Sequence, residues 1–191
     1  MLICLAAECT ATYSLSKYET QQTNIELDIG HTAQVHNNDI IAAECLTIVF
    51  CVFVATLFGA DFFFLLFWPR RRYPRWYSSA KKLLAVGITM GVLAAALMST
   101  IIVATRSAFI TGVGPDTAQQ YANFFYRPPL KYRAWPTNIA HVVLLWLGFL
   151  ATAASTAVMF IASDHDELHG TEPKSTLEDD QPITGEKGRH Y

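Results

Sequence analysis

The side chains that could take part in chemistry are few, and they are spread along the chain. Glu44, Asp61 and His141 are ionisable residues inside long apolar segments. An ionisable group inside a membrane is costly, so each one predicts a polar partner or a functional role. His165 and His169 lie four residues apart among carboxylates, but a solvated charged surface accounts for that spacing more simply than a metal site. The sequence predicts no catalytic, cofactor-binding or metal-binding residues, and it favours a protein that is not an enzyme.

Three apolar segments must position these side chains. Hydrophobic residues make up 52% of the chain and charged residues 16%, against about 25% charged residues in an average soluble protein. The segments cover residues 40–68, 83–105 and 139–162, and each is long enough to cross a hydrocarbon core of about 30 Å as a helix. They leave too little chain to cover them with a soluble shell. The predicted fold is all-α, a transmembrane helical bundle with three spans or a truncated four-helix bundle.

Charge and cysteine content exclude two other classes of protein. The net charge of -2 excludes a generally basic nucleic-acid-binding protein. The segment between the second and third spans has no cysteine, which argues against a disulfide framework. All four cysteines lie in the N-terminal third of the chain, at Cys4, Cys9, Cys45 and Cys51.

Polar segments flank the spans. Residues 1–39 are predicted to form an extracytoplasmic N-terminal tail, although residues 1–15 could instead be the remnant of a further helix. Residues 163–191 are acidic and almost free of large apolar side chains, which predicts a disordered cytoplasmic tail. The segment AQQYANFFY, between the second and third spans, could form a short amphipathic turn that lies on the membrane. The aromatic residues expected at the membrane interface there are Phe124, Phe125, Tyr126, Tyr132 and Trp135.

Basic residues are concentrated after the first span. Lys and Arg mark the cytoplasmic side of short loops, so this segment and the C-terminus are placed inside and the N-terminus outside. The basic side chains of this segment can contact anionic lipid of the inner leaflet. Two interpretations stay open: a segment that only fixes the topology, or a specific phosphoinositide-binding site. The plasma membrane is favoured over internal membranes. The residues predicted to contact lipid headgroups are Arg70, Arg71, Arg72, Arg75, Trp76, Lys81 and Lys82.

Small residues predict how the spans pack. In the second span they recur every four residues, and such a stripe lets a neighbouring backbone approach closely in lipid. The third span has a second stripe that begins at Gly148. Two uses stay open: packing of the second span between the other two, or homo-oligomerisation through the glycine face. The stripe of the second span consists of Gly87, Gly91, Ala95 and Ser99.

The ionisable residues inside the spans predict two polar contacts. Glu44 and His141 should lie at similar depths near the outer interface, where they could contact each other or reach headgroup water. Asp61 is expected about 10 Å inside the hydrocarbon, counted at about 1.5 Å per residue. Thr89 of the second span lies at a matching depth, so a protonated Asp61 could form a hydrogen bond with Thr89. The alternative is that the helix shifts outward and Asp61 meets headgroup water.

The runs NNDIIAAEC, ADFFFLLFWPRRRYPRW and YRPPLKYRAWPTN resemble those of uncharacterised multi-pass membrane proteins of filamentous fungi. The resemblance covers residues 37–162 and carries no defined functional motif. It implies a four-span chain with a helix before the N-terminal tail, which here would be absent or reduced to the first dozen residues. No catalytic residue follows from it.

Two hypotheses for the function follow. The first is a non-enzymatic membrane-organising or partner-binding protein, in contact with the bilayer and with a second copy or another membrane protein. The second is a subunit of an oligomeric transporter or channel that uses Asp61, with Glu44 and His141 in a polar path. Three spans are few for a transporter monomer, so the second hypothesis requires an oligomer.

Overall fold

The computed structural model describes residues 1–28, 34–67, 75–124 and 127–169, and nearly all of them are helical. Four long helices dominate: α1 (Leu2–Asp28), α2 (Asn38–Phe67), α3 (Arg75–Thr105) and α5 (Pro136–His169). A shorter helix, α4 (Pro115–Phe124), lies between α3 and α5. The all-α class predicted from the sequence is confirmed.

Three of these helices are long and apolar enough to cross a membrane: Asn38–Phe64, Trp76–Thr105 and Pro136–His165. They match the three predicted spans with different bounds: each begins two to seven residues earlier than predicted, the first ends at Phe64 and the third runs on to His165. The difference arises because helix ends are set by turns and by polar contacts between helices, whereas hydropathy marks only the apolar middle of each helix. The chain is therefore a membrane protein with three candidate spans.

The four long helices form an antiparallel bundle. α1 packs against α2 and α5, and α3 also packs against α2 and α5, so α2 and α5 stand at opposite corners. The prediction that the second span packs between the other two is confirmed for α3. One contact for each neighbouring pair fixes the arrangement: Met1 with Gly59, Asp61 with Lys81, Thr89 with Thr156, and Ser14 with Asn138.

The N-terminal segment differs from the plain tail that the sequence favours. Helix α1 occupies the fourth corner of the bundle, and Met1, just before it, contacts the position of Gly59, two residues before Asp61. Its buried residues recur at alternating steps of three and four, which places them on one face of a helix. Several of them are small or polar, so hydropathy does not reveal the face. They are Cys4, Ala7, Ala11, Ser14, Tyr18, Gln21 and Ile25.

The C-terminal boundary also differs from the prediction. Residues 163–169, assigned to a disordered tail, continue α5. Contacts with α3 hold this extension, because Ser163 lies 3.4 Å from Ser78 through their hydroxyl oxygens and Asp164 pairs with Lys82. The rest of the predicted tail, residues 170–191, lies outside the described residues.

The other end of the bundle carries a small cap. Strands β1 (Gln34–His36) and β2 (Phe109–Thr111) pair antiparallel, with Val35 opposite Ile110. Gly112 follows β2 with φ 91°, in the left-handed region that glycine adopts without strain. The segment predicted to form a short amphipathic turn lies largely within helix α4. A 3-10 helix, Tyr132–Ala134, then leads into α5.

Candidate functional site

A buried amide organises the polar contacts where the bundle meets its cap. Asn138 lies in the first turn of α5 and is almost fully buried. Its Nδ2 donates to the backbone carbonyl of Tyr132 at 3.1 Å and to the hydroxyl of Tyr18 at 2.9 Å. Because a carbonyl can only accept, the amide nitrogen must face Tyr132, and Oδ1 then faces α1. The hydroxyl of Ser14 donates to that oxygen at 2.9 Å.

Further hydrogen bonds tie α1 and α2 to the segment between α3 and α5. The hydroxyl of Tyr132 donates to Asp39 Oδ1 at 2.7 Å, and Gln21 Nε2 donates to the carbonyl of Pro128 at 2.7 Å. The rings of Tyr18 and Tyr132 meet edge to face, with centroids 5.6 Å apart. Tyr132 is therefore a buried part of the bundle, and its prediction as an interfacial anchor is wrong.

Both phenols of this cluster are held in their protonated form. Burial raises the pKa of Tyr18, although the hydrogen bond from Asn138 acts in the opposite direction. Burial also raises the pKa of Tyr132, and its hydrogen bond to Asp39 raises it further. A protonated Tyr132 is required by the geometry, because its O–H is the donor to a carboxylate.

Glu44 and His141 are both buried, but they do not contact each other. Glu44 is 1% exposed, and neither of its carboxylate oxygens has a hydrogen-bond partner among the described residues. His141 is 2% exposed; its Nδ1 lies 3.4 Å from the carbonyl of Ala7, and its Nε2 has no partner there. The predicted Glu44–His141 contact is wrong, and neither residue reaches headgroup water. The reason is that α1 fills the corner between α2 and α5.

Asp61 has a charged partner that differs from the predicted one. Its Oδ2 lies 3.0 Å from Lys81 Nζ, so the hydrogen bond predicted with Thr89 is wrong. The hydroxyl of Thr89 instead lies 2.9 Å from that of Thr156 on α5. The difference arises because the long side chain of Lys81, in the N-terminal part of α3, extends far enough to reach Asp61.

The predicted headgroup-binding residues are only partly described. Lys81 is paired with Asp61, and Lys82 lies 3.5 Å from Asp164. Trp76 is 71% exposed at this end of the bundle, as an interfacial aromatic would be. Arg70, Arg71 and Arg72 lie outside the described residues, as does the side chain of Arg75.

The small-residue stripe of α3 is used along most of its length. The ring of Phe50 occupies the space in front of Gly91, where a side chain would collide with it. Ala95 and Ser99 are buried further along the same helix. Gly87 has no neighbour in the space where a side chain would stand. It opens on an apolar groove of about 480 Å³ that is lined by Phe50, Phe53, Ala80, Leu83, Leu84, Gly87 and Ile88.

Gly148 of α5 packs on α1. Its missing side chain leaves room for Cys4, whose Sγ would lie 3.1 Å from a Cβ at this position. The sulfur also lies 3.8 Å from the hydroxyl of Thr152, and all four cysteines are free thiols.

Comparisons of the chain with protein-family models, with curated proteins and with solved structures find no match.

Sequence reasoning finds the ionisable residues but misses the network around them. Ser14, Tyr18 and Asn138 are ordinary polar residues outside the apolar segments or at the edge of one, so type and spacing do not single them out. The signal that could find α1 is the alternation of three and four residues between its small side chains. No group of three or more potential metal ligands occurs among the described residues.

Proposed function

We propose that this protein is a non-enzymatic membrane protein that binds a transmembrane helix of a different protein through α1. The supporting observation is the outward face of α1 where it runs beside the apolar helices. Four exposed residues there are spaced four, three and four apart, and after the first they are small: Leu5, Cys9, Thr12 and Ser16. The larger Tyr13 is exposed beside them. Small side chains on one helix face allow close approach of a second helix in lipid.

A carboxylate on the same stretch of helix argues that protein, and not lipid, covers it. Glu8 is half-buried, and its carboxylate makes no ion pair or hydrogen bond with the described residues. It lies about 10 Å along α1 from Met1, at about 1.5 Å per residue, and Met1 itself reaches the depth of Gly59. A carboxylate at membrane depth needs a polar partner, which an acyl chain does not offer.

Charge also argues against a second copy as the occupant. Two copies in one membrane share the same orientation, so a twofold axis along the membrane normal would bring equivalent residues of α1 together. Glu8 would then face Glu8 of the other copy, and like charges in a poorly solvated interface repel each other. A different helix with a basic or hydrogen-bond-donating residue at this depth satisfies the carboxylate.

The orientation proposed with this function places the α2–α3 connection and the C-terminus in the cytoplasm. It is supported by Lys81 and Lys82, which lie at the end of the bundle from which that connection leaves. The plasma membrane is the proposed location, and the exposed Trp76 is the described residue that would meet headgroups at that face.

Photocrosslinking in the native membrane tests the proposal. A photoreactive amino acid at Thr12 should give one discrete protein adduct, whereas the same probe at Leu150, an exposed residue of α5, should give lipid adducts. Glu8→Leu should remove the Thr12 adduct, and Glu19→Leu, beyond the level of Tyr18 on α1, should leave it in place. Lipid adducts alone at Thr12 would overturn the proposal. An adduct with the mass of a dimer would replace it by homo-oligomerisation.

A further inference from the structure

The packing of the bundle leaves both oxygens of the Glu44 carboxyl group buried and without a partner among the described residues. Glu44 is 1% exposed. The ion pairs Lys81–Asp61 and Lys82–Asp164 do not involve it. A bare carboxylate in an apolar interior is far more costly than a neutral acid, because the ionised form loses the hydration of a full charge.

Among the described residues, the surroundings of Glu44 offer phenols and a hydroxyl, but no cation paired with it. Tyr18 of α1 and Tyr132 of the 3-10 helix lie near enough for the Glu44 charge to act on them, and both are protonated phenols. Asp39 lies five residues earlier on the same helix and accepts the Tyr132 hydroxyl. His141 of α5 points its Nδ1 at Ala7 instead. Helix α3 has no ionisable residue between positions 83 and 105.

The directions of the hydrogen bonds around Ser14 leave an acceptor for one proton on the Glu44 carboxyl group. Ser14 Oγ lies near the Glu44 carboxyl group, but no hydrogen bond joins the two. Its single proton is already donated to Asn138 Oδ1, because the amide orientation is fixed by the carbonyl of Tyr132. The oxygen of Ser14 can therefore only accept from Glu44. A carboxylate would find no donor there, whereas a carboxylic acid would find an acceptor.

We propose that Glu44 is a proton-binding site in the core of the bundle, occupied at neutral pH, and that its O–H points toward Ser14. The site forms from three elements, since α2 supplies the acid, α1 supplies Ser14 and Tyr18, and the chain before α5 supplies Tyr132. The bound proton lets α1 stay packed on α2 at this level. Loss of the proton would place an uncompensated charge between them.

Infrared spectroscopy of the full chain in lipid nanodiscs tests the site directly. The carboxylic C=O stretch of an acid is separate from the bands of a carboxylate. At neutral pH the wild-type spectrum should contain a carboxylic acid band that shifts in deuterium oxide and is missing in Glu44→Gln. Asp61→Asn is the matched control. It should remove only carboxylate bands, because Asp61 is paired with Lys81.

Three outcomes would overturn the proposal. The first is loss of carboxylate bands alone in Glu44→Gln. The second is a carboxylic acid band that disappears in Glu8→Gln and persists in Glu44→Gln. The third is loss of the band when sodium chloride replaces choline chloride at constant pH, which would assign the site to a metal cation. If Glu44→Gln does not fold, wild-type protein with carbon-13 glutamate carboxyl groups gives the same test. A carbon-13 acid band must then be present at neutral pH, where exposed glutamates are ionised.

Discussion

The ring of Phe50 on α2 fills the space into which a side chain at Gly91 of α3 would project. Because Gly91 has no side chain, the aromatic ring of Phe50 can lie directly against the α3 backbone. Dispersion contacts of this kind hold transmembrane helices together, since lipid is as apolar as the helices themselves. The same helix provides its own control at Gly87, one turn away, where the equivalent space is open.

Gly91→Ala should lower the free energy of unfolding by about 1–3 kcal/mol, the usual cost of overpacking a tight contact. Gly91→Ile should cost more, because a branched side chain must displace the whole ring. Thermal unfolding in mild detergent measures the effect. Gly87→Ala should be neutral or slightly stabilising, since alanine favours a helix. Equal effects at both positions would contradict the role given to Phe50.

Ala11→Leu should detach α1 from the bundle. Ala11 is fully buried in the middle of the α1 face that packs on α2 and α5, so a leucine there overfills the contact at a cost of about 1–3 kcal/mol. Limited proteolysis of the N-terminal segment in detergent reports the detachment. Thr12→Leu is the matched control, because its side chain is exposed. A cleavage rate at Ala11→Leu equal to that of wild type would show that α1 does not depend on this face.

The three spans could be predicted because a long apolar run has one physical solution in a bilayer, a helix that satisfies its own backbone. Helix α1 could not be predicted in this way. Its buried face includes Ser14 and Gln21, and a face of small and polar residues has no hydropathy signal. Whether α1 packs into the bundle depends on the space that the other three helices leave between them, and the local sequence of α1 does not encode that space.

The predicted polar contacts between the spans were wrong for a related reason. Depth counting places Glu44 and His141 at one level, but it cannot tell that α1 separates their two helices. Asp61 and Thr89 also match in depth, yet a long lysine side chain can cross several ångströms of depth to reach a carboxylate. The prediction that Gly91 lies at a close contact between helices agrees with the structure, because helix periodicity alone fixes the face on which Gly91 lies.

Asp61→Asn should weaken the contact between α2 and α3 by about 1 kcal/mol, the upper range for a partly exposed ion pair. The amide can still accept a hydrogen bond from Lys81, but it no longer offers a full charge at 3.0 Å. Thermal unfolding at low and high salt measures the loss. Asp164→Asn is the control with the smaller expected effect, because Asp164 is 67% exposed in its pair with Lys82. An equal or larger loss in Asp164→Asn would show that the Asp61 pair does not stabilise the bundle.

Alkaline pH should unfold the protein through its two buried phenols. Burial raises the pKa of both Tyr18 and Tyr132 above the ordinary tyrosine value, which is about 10. Below about pH 10 both phenols are protonated in the folded and the unfolded chain, so they add no pH dependence. Above that pH the unfolded chain loses these protons first, and stability falls by up to about 1.4 kcal/mol per pH unit for each phenol.

Tyr132→Phe should remove one of these two contributions. The stability of the variant is lower at neutral pH, because Asp39 loses a hydrogen bond of 2.7 Å, at a cost of about 1.5–3 kcal/mol. Its loss of stability per pH unit above about pH 10 should nevertheless be smaller than that of wild type, since one fewer phenol is released on unfolding. Chemical unfolding followed at several alkaline pH values gives both quantities. Tyr13→Phe, at an exposed position, should leave the slope unchanged, and an unchanged slope in Tyr132→Phe as well would show that its buried phenol does not control alkaline unfolding.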